Sequence, residues 1–277
     1  MHTPPLWSIL PGALATAQDT LQAPDSPLPP SISALDWEEY CADCADAELS
    51  AQFDPVSGLL IQPIRGVIMR GATPEMEAFC DCFDLRRIDQ TCAFAATAPG
   101  VRGLVLAIDS PGGYTSGMST TLSALAALRA ARPDLPLSTY TSGTCCSLAY
   151  IIAAAAGPIH PTSGATIGSI GVMAVTTDDS AAYRLAGIER RLLTDGRYKG
   201  LGTPGIPWSP EWYAHIQTHI DATSLDIRTR LSAQRPRLTL ADMQGQTWDA
   251  ATAPAALHDG LVSGTLSDYL LALTPPL

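Results

Sequence analysis

The chain has 277 residues, of which 46% are apolar and 16% are charged, so it can bury a substantial core in one domain or in two small ones. Its formal net charge of −11 and its pI near 4.7 argue against DNA or RNA as a partner, because a nucleic-acid surface needs clustered Lys and Arg. No apolar run reaches the ~18 residues of a membrane span, and no basic residue precedes Arg65 to start a secretory signal. We therefore expect a cytoplasmic protein without a membrane anchor.

The first 54 residues differ from the rest in composition, being rich in Pro, Ala, Asp and Ser. The run of prolines over residues 24–30 cannot hold a helix or a central strand. Residues 6–21 and 34–50 each have the pattern of a short helix. We therefore predict an N-terminal extension over residues 1–54, partly helical and Pro-rich, followed by one domain over residues 55–277.

From residue 58 onward, strand and helix patterns alternate. The predicted elements are a bent strand or strand pair over 59–69, a helix over 73–98, a strand over 103–109, a helix over 116–132, a strand over 137–140 and a helix over 147–156. The run over 103–109 is continuously apolar, which indicates a strand buried on both faces. This alternation predicts an α/β fold with a parallel β-sheet and covering helices.

The seven cysteines are an odd number in a chain that we expect in the cytoplasm, so we predict reduced thiols and not a disulfide framework. Two close pairs, Cys41/Cys44 and Cys80/Cys82, leave a tetrahedral zinc site open as an alternative, although the second spacing is irregular for such a site. Our expectation is that the protein uses no metal and no cofactor.

The chain contains a single lysine, Lys199, against fifteen arginines. Arginine stays protonated at any pH a protein meets, whereas a desolvated lysine amine can lose its proton and act as a base. Lys199 is therefore a candidate base at a position that Arg cannot fill. The alternative is that a drift from Lys to Arg left one lysine by chance.

The first chemical motif is Asp109-Ser110-Pro111-Gly112-Gly113, at the point where the apolar strand ends. Adjacent glycines allow a positive φ and let backbone N–H groups approach a ligand, so this segment is predicted to be a turn that can stabilise an oxyanion. A simple chain reversal would have the same sequence pattern.

The second motif places Ser147 at the start of an alanine-rich helix, after Cys145 and Cys146. A serine there is most often a helix cap, but the same position puts a hydroxyl beside free N–H groups and the positive end of the helix dipole. Ser147 is therefore a candidate nucleophile. The two cysteines are small apolar residues on the simpler interpretation, and a thiol nucleophile is the less favoured alternative.

Two further segments complete the pattern. Residues 164–172, which include Gly168, Ser169 and Ile170, are small enough for a substrate backbone to approach, or they form a tightly packed crossing. Residues 195–200 carry Lys199.

In this order, the segments resemble the signal peptide peptidase A family of serine peptidases, which have the Clp-protease/crotonase fold. The resemblance runs over residues 59–263 and rests on six segments: 64–68, 109–113, 147–150, 168–172, 196–199 and 256–262. Six ordered matches are far more specific than any one of them. Residues 55–277 are thereby expected to form a peptidase domain of this type.

The resemblance implies a Ser-Lys dyad, with Ser147 as the nucleophile and Lys199 as the general base. Because the base must be neutral, we expect apolar and hydroxyl neighbours around Lys199, with Ser169 orienting the amine. The other implied residues are Gly113 and Leu148, whose amides form the oxyanion hole, and Gly112, Gly168 and Ile170, which support substrate binding. Leu148 is larger than is usual at its position, which predicts a narrower specificity pocket.

The start of the chain, Trp7-Ser8-Ile9-Leu10-Pro11, and residues 176–180 resemble the tailed-phage head-maturation proteases of this family. That branch implies polypeptide substrates, namely a separate scaffold protein, the portal or the coat protein, and a location in the host cytoplasm or inside an immature capsid. The resemblance also implies a homo-oligomer, in a ring, whose dyad is completed between neighbouring domains or subunits.

Several alternatives stay open at this point. One is a bacterial protease, similar to the signal peptide peptidases, that degrades peptides. A crotonase-type acyl-CoA enzyme would use a similar oxyanion hole without Ser147, and a non-catalytic capsid-assembly subunit would keep the fold alone. A Ser-His-Asp mechanism is the weaker protease hypothesis, because no histidine lies in a segment that matches a triad motif.

Overall fold

The computed structural model describes residues 51–274 and the backbone of residues 7–9. The two helices predicted for residues 6–21 and 34–50 lie outside this part, as do Cys41 and Cys44, except that Trp7–Ile9 forms a strand and not the first turn of a helix. Residues 52–54 also belong to a strand. The division of the chain at residue 54 stays a prediction.

Strands and helices alternate through the described residues. The strands are β1 (Trp7–Ile9), β2 (Gln52–Asp54), β3 (Leu59–Met69), β4 (Cys82–Asp84), β5 (Gly103–Tyr114), β6 (Leu137–Thr141), β7 (Thr144–Cys146), β8 (Ile159–Pro161), β9 (Thr166–Gly168) and β10 (Thr247–Asp249). The helices are α1 (Pro74–Phe79), α2 (Leu85–Thr97), α3 (Met118–Ala131), α4 (Leu148–Ala156), α5 (Ser180–Leu185), α6 (Pro210–Gln234) and α7 (Leu266–Leu273), with a 3-10 turn at Leu240–Asp242.

The sheet is built around β3 and β5, which pair in parallel along most of their length. Parallel pairs also join β3 to β4, β5 to β6, β5 to β7, β6 to β8 and β7 to β9. The antiparallel members are β1, β2 and β10. The predicted α/β class, with a largely parallel sheet and covering helices, is confirmed.

The hydrophobic core lies between this sheet and its helices. Ile64 and Ile68 of β3 and Leu106 of β5 are completely buried, and Leu125 of α3 packs in the same core. Each such side chain contributes about 1.5–3 kcal/mol to folding. Helix α4 is buried along its whole length, which is why it is apolar on every side. The prediction of a buried helix here is confirmed.

Two predicted elements differ from the structure. The helix expected over 73–98 is divided into α1 and α2 by β4, because Asp81 has a positive φ of 47° and Asp84 caps α2 by accepting a hydrogen bond from Arg86 N–H at 2.8 Å. The turn expected at residues 109–113 continues as strand β5 to Tyr114, with Gly112 at a φ of 103° inside it. Strand pairing on β5 overrides the turn preference of Pro-Gly-Gly.

The segment between β9 and α6 has little regular structure apart from α5. Side chains hold it in place: the Asp178 carboxylate accepts from Trp208 N–H at 3.0 Å, and the Asp179 carboxylate accepts from Gly205 N–H at 2.6 Å. Leu201 and Trp208 pack against Trp212 at the start of α6 in a small separate cluster. This segment carries Lys199.

Candidate active site

Ser147 lies at a sharp junction between β7 and α4. Its φ of 55° and ψ of −120° are unusual for a residue with a side chain, and such strain is typical of nucleophiles on a strand-to-helix turn. The residue is 1% exposed and makes no side-chain cap hydrogen bond to α4. The structure therefore does not support the simple helix-cap interpretation of Ser147.

The sheet holds this junction on both sides. Within β7, Cys145 pairs with Ser110 of β5 and with Ile167 of β9. The Ser147 N–H donates to the Gly168 carbonyl at 2.8 Å. Because these contacts are backbone contacts on a buried sheet, the position of Ser147 is determined within one chain.

The two cysteines before Ser147 are structural. Both are completely buried, and the Cys146 thiol donates to the Thr166 carbonyl at 3.6 Å. Burial raises the pKa of the Cys145 thiol and raises that of Cys146 to about 12. A thiolate nucleophile is therefore disfavoured at this position.

Asp109 and Ser110 position the backbone around the junction. The Asp109 carboxylate accepts from Thr144 N–H at 2.8 Å, at the start of β7. The buried Ser110 hydroxyl donates to the Gly66 carbonyl at 2.6 Å and accepts from Gly112 N–H at 3.1 Å. Sequence analysis included both residues in a glycine turn but did not identify these roles.

The two residues expected to form the oxyanion hole lie in different elements, Gly113 in β5 and Leu148 in α4. Leu148 is the first residue of α4, where backbone N–H groups have no partner inside the helix. Gly113 is packed so closely that a Cβ atom on it would lie 1.8 Å from the carbonyl oxygen of Ile68. The Leu148 side chain packs in the main core and does not line the cavity at Ser147, so the expectation that it narrows the specificity pocket is not supported.

Ser147 opens into a cavity of about 500 Å³. Ser169, with a φ of 52°, and Ile170 line the same cavity, while Gly168 pairs with β10 beside it. A Cβ on Gly168 would lie 2.8 Å from the Trp248 ring, which explains the glycine there. The structure thus brings Ser147 and Ser169 together.

The opposite wall of the cavity comes from elements that sequence analysis did not identify. One face of α6 and the loop after the 3-10 turn supply it, through Gln217, Ile220, Asp221, Ser224, Leu225, Arg228, Met243, Gln244 and Gly245. The Ser-Pro-Glu start at residues 209–211 is a signal for helix α6, since Ser209 caps it by accepting from Trp212 N–H. No pattern in the sequence shows that this helix faces Ser147.

Lys199 lies elsewhere. It is exposed and lines a different cavity, of about 640 Å³, together with Asp195 and Thr203. Apolar and hydroxyl side chains also line this cavity, among them Leu192, Leu201 and Thr194, whereas Ser169, which was expected to orient the amine, lines the Ser147 cavity. The role of Lys199 stays a prediction. Within residues 51–274, the structure does not bring Lys199 and Ser147 into one cavity.

The histidines of the described part do not supply a base at Ser147 either. His160, His215, His219 and His258 are absent from the lining of the Ser147 cavity. Burial lowers the pKa of His258, although the neighbouring Asp259 carboxylate acts to raise it. The structure therefore gives no support to a Ser-His-Asp triad among the residues it describes.

Two other findings concern metals and membranes. Between residues 51 and 274, no group of three His, Cys, Asp or Glu side chains is arranged to hold a metal ion. The zinc alternative also involves Cys41 and Cys44, which are outside that range. Of the helices that the structure describes, none combines the length and the apolarity that a membrane span needs.

Comparison with known proteins gives a family match for the segment that begins at Arg129. Residues 129–265 match peptidase family S49, and this range contains both Ser147 and Lys199. Among solved structures, the crystal structure of an enoyl-CoA hydratase/isomerase family member is 18% identical, with a TM-score of 0.42, covering 81% of this chain and 73% of that one.

Three curated proteins are similar in sequence. Capsid assembly protease C of Escherichia phage lambda is 26% identical over 77% of this chain and 48% of its own length. A head-tail preconnector protein of Enterobacteria phage P21 is 27% identical over 78% of this chain and 40% of its own length. A putative protease of Methanocaldococcus jannaschii is 28% identical over 46% of this chain and 40% of its own length. The chain thus spans about half the length, or less, of the curated relatives it matches. The resemblance predicted from the sequence motifs is confirmed: residues 129–265 match peptidase family S49, and the similar proteins include a phage capsid assembly protease and a phage head-tail preconnector protein.

Proposed function

We propose that this chain is a serine endopeptidase that acts in phage capsid maturation. The observation that carries the proposal is the backbone of Ser147, which has a positive φ at a strand-to-helix junction and faces a cavity of about 500 Å³. The similarity to peptidase family S49 and to a capsid assembly protease supports the same reaction.

The proposed base is Lys199 of a neighbouring subunit. In one chain, Lys199 is exposed and lines a cavity other than that of Ser147, which favours an amine supplied by another copy. Several large apolar side chains on the Lys199 segment are exposed, with 90% exposure at Leu185 and 93% at Leu193. Exposed apolar groups on one segment are typical of a protein–protein interface. Covering this segment would also desolvate the amine and favour its neutral form.

The reaction proceeds through an acyl-enzyme. Ser147 Oγ attacks the substrate carbonyl carbon while its proton passes to Lys199 Nζ, and the amides of Gly113 and Leu148 stabilise the oxyanion. The scissile C–N bond then breaks, and the amine product takes the proton from Lys199. Water repeats the sequence on the ester, with Lys199 again as base, and releases the carboxylic acid and free Ser147.

The proposed substrates are capsid proteins: the scaffold, the portal or the coat. This assignment rests on the two phage relatives, a capsid assembly protease and a head-tail preconnector protein. The cavity itself is lined by both apolar and polar groups, including Ile170, Leu225 and Asp221, and so can accept a polypeptide of mixed sequence.

Mixing inactive subunits tests the proposal. Ser147→Ala and Lys199→Arg proteins are each expected to lack hydrolysis of an unfolded protein substrate. When they are dissociated and reassembled together, activity should return, because some sites combine an intact Ser147 with an intact Lys199 from another subunit. Ser163→Ala, an exposed serine outside the cavity, is the matched control and should keep full activity.

The outcomes of the mixing experiment are distinct. Activity in either single variant would rule out the assigned dyad. Two inactive variants that stay inactive after mixing would exclude a dyad shared between subunits and would require Lys199 to reach Ser147 within one chain.

A further inference from the structure

Strand β1 lies on the edge of β5, next to the candidate active site. Its pairing with β5 is antiparallel, and the register places Trp7 opposite Tyr114, Ser8 opposite Gly113 and Ile9 opposite Gly112. Gly113, whose amide is assigned to the proposed oxyanion hole, therefore has a strand partner in the chain's own N-terminal segment.

The position of β1 follows from the other partners of β5. One edge of β5 is taken by β3, which pairs Val67 with Gly112 and Ile68 with Gly113. The other edge is taken first by β6, over Leu104–Ala107, then by β7, at the Ser110–Cys145 pair, and last by β1. Along this edge of β5, strand β1 thus takes the place of β7 just beyond the point where the chain leaves β7 at Ser147.

The register shows in which direction Trp7–Ile9 runs relative to Ser147, the proposed nucleophile. Because β7 runs parallel to β5, the residue that follows Cys146 is level with Gly112, which is the partner of Ile9. Strand β1 is antiparallel, so its chain runs from Tyr114 toward Gly112 and approaches Ser147 with Ile9 last. A polypeptide substrate bound on this edge in the same direction would present the residues before its scissile bond in the place of Trp7–Ile9.

We propose that this edge of β5 is the substrate-binding edge of the site and that Trp7–Ile9 occupies it as an internal pseudosubstrate, which a substrate strand must displace. The inference rests on the proposed protease function. Strand addition binds through main-chain hydrogen bonds, which any extended polypeptide can form, so the segment and a substrate compete for the same N–H and C=O groups. The unpaired edge of a sheet is also a template for pairing with other chains, and proteins commonly cover it.

The competition is strong because the segment is tethered. A linked segment acts at an effective concentration in the millimolar range, so a separate peptide binds weakly until the tethered copy is released. Releasing β1 is therefore expected to tighten the binding of a separate strand by at least about tenfold.

Proline substitution in the full-length chain tests this directly. Backbone N–H groups alternate in direction along a strand, so one of Ser8 and Ile9 points its N–H at β5 and the other points away. Proline removes the N–H, and it is tolerated on an edge strand only where that group faces outward. One of Ser8→Pro and Ile9→Pro should therefore release β1, while Ser8→Ala and Ile9→Ala retain the amide and serve as matched controls.

The measurement is binding and not turnover. Each variant carries Ser147→Ala, and a fluorescent peptide with the sequence of residues 3–14 is titrated by fluorescence anisotropy. One proline variant should bind the peptide at least about tenfold more tightly than its alanine control. Equal affinities in both proline variants and both controls would overturn the inference.

Hydrogen exchange keeps the test independent of any effect on folding. The amides of residues 112–114 should exchange faster in the proline variant that binds the peptide, while those of the central part of β5 stay protected. Faster exchange throughout β5 would mean that the variant has unfolded. The test then uses the variant with proline at the other position, in which added peptide should slow the exchange of the amides of residues 112–114. No slowing on addition of peptide would again overturn the inference.

Failure of the inference can be told apart from failure of the proposed function. If hydrolysis depends on Ser147 and no proline variant changes peptide binding, the proposed protease function is retained and the pseudosubstrate inference is rejected. If chains with an intact Ser147, with or without the proline substitutions, hydrolyse no protein but one proline variant binds the peptide more tightly, the edge binds polypeptide and the catalytic assignment is wrong.

Discussion

The segments that carry Ser147 and Lys199 are stabilised in different ways. Ser147 is 1% exposed and follows a strand with a partner on each side. Lys199 is exposed, on a segment with little regular structure that is held by a few side-chain contacts from Asp178 and Asp179. The proposed nucleophile is therefore placed by the fold of one chain, whereas the proposed base lies on a segment that we expect a neighbouring subunit to cover. This difference is what a protease needs if it is to be active only after assembly.

The largest expected effect concerns the two residues themselves. Ser147→Ala and Lys199→Arg should each lower kcat for protein hydrolysis by roughly 10⁴-fold or more, because the members of a catalytic unit act together. Ser147→Ala keeps the backbone hydrogen bonds of the junction, and Lys199 is exposed, so the thermal midpoint should change little. Hydrolysis assays and thermal denaturation on the same preparations check this, and a large loss of stability in Ser147→Ala would contradict the interpretation.

The second prediction tests whether the Lys199 segment is an interface. Leu185→Asp and Leu193→Asp place a charge on side chains that are 90% and 93% exposed in one chain. The free energy of unfolding of the protomer should change by less than about 0.5 kcal/mol, because surface substitutions are usually neutral. The oligomer should dissociate and hydrolysis should be lost, as measured by light scattering and activity. An unchanged oligomer with full activity would place the interface elsewhere.

The third prediction concerns the buried sheet that holds the segment around Ser147. Ser110→Ala removes the buried hydroxyl that bonds the Gly66 carbonyl and the Gly112 N–H. Leaving buried polar groups unpaired costs about 1–3 kcal/mol, so the free energy of unfolding should fall by that amount. Chemical denaturation measures the change. Thr274→Val, which removes a partly buried hydroxyl that donates to the Leu270 carbonyl, is a control and should cost less.

The smallest expected effect is a pH dependence of stability at the end of α4. Burial acts to raise the pKa of Asp259, but hydrogen bonds from Ile159 N–H and from Arg235 outweigh it and hold that pKa below its usual value of 3.8. Because the folded pKa is lowered, the stabilisation is fully present above pH 3.8 and is lost as the pH falls through the folded pKa.

Urea denaturation between pH 6 and pH 3 checks this for the wild type and for Asp259→Asn. The variant should be less stable at pH 6 by about 1 kcal/mol or more, and the two proteins should converge at low pH. Glu189→Gln, which breaks an exposed ion pair with Arg191, should have no measurable effect at any pH. A constant difference between wild type and Asp259→Asn across this range would contradict the assignment to Asp259.

Much of the fold follows from local sequence patterns. The apolar run at residues 103–109 became the core strand β5, and the alanine-rich run after Ser147 became the buried helix α4. These predictions succeeded because periodicity and continuous apolar runs report burial directly. The predictions for residues 73–98 and 109–113 failed because strand pairing with β3 and β5 overrode a helical pattern in one case and a turn pattern in the other.

The amino-acid sequence by itself determined which residues are candidates for chemistry. A lone lysine, a serine before a buried helix and a glycine pair after an apolar strand are recognisable without coordinates, because each is a local choice of residue type. The tertiary structure decided which of them meet. It put Ser147 and Ser169 in one cavity with a wall from α6, placed Lys199 in another, and laid Trp7–Ile9 along Gly112–Tyr114. These are contacts between residues far apart in the chain, and their free energy depends on packing that no local pattern contains.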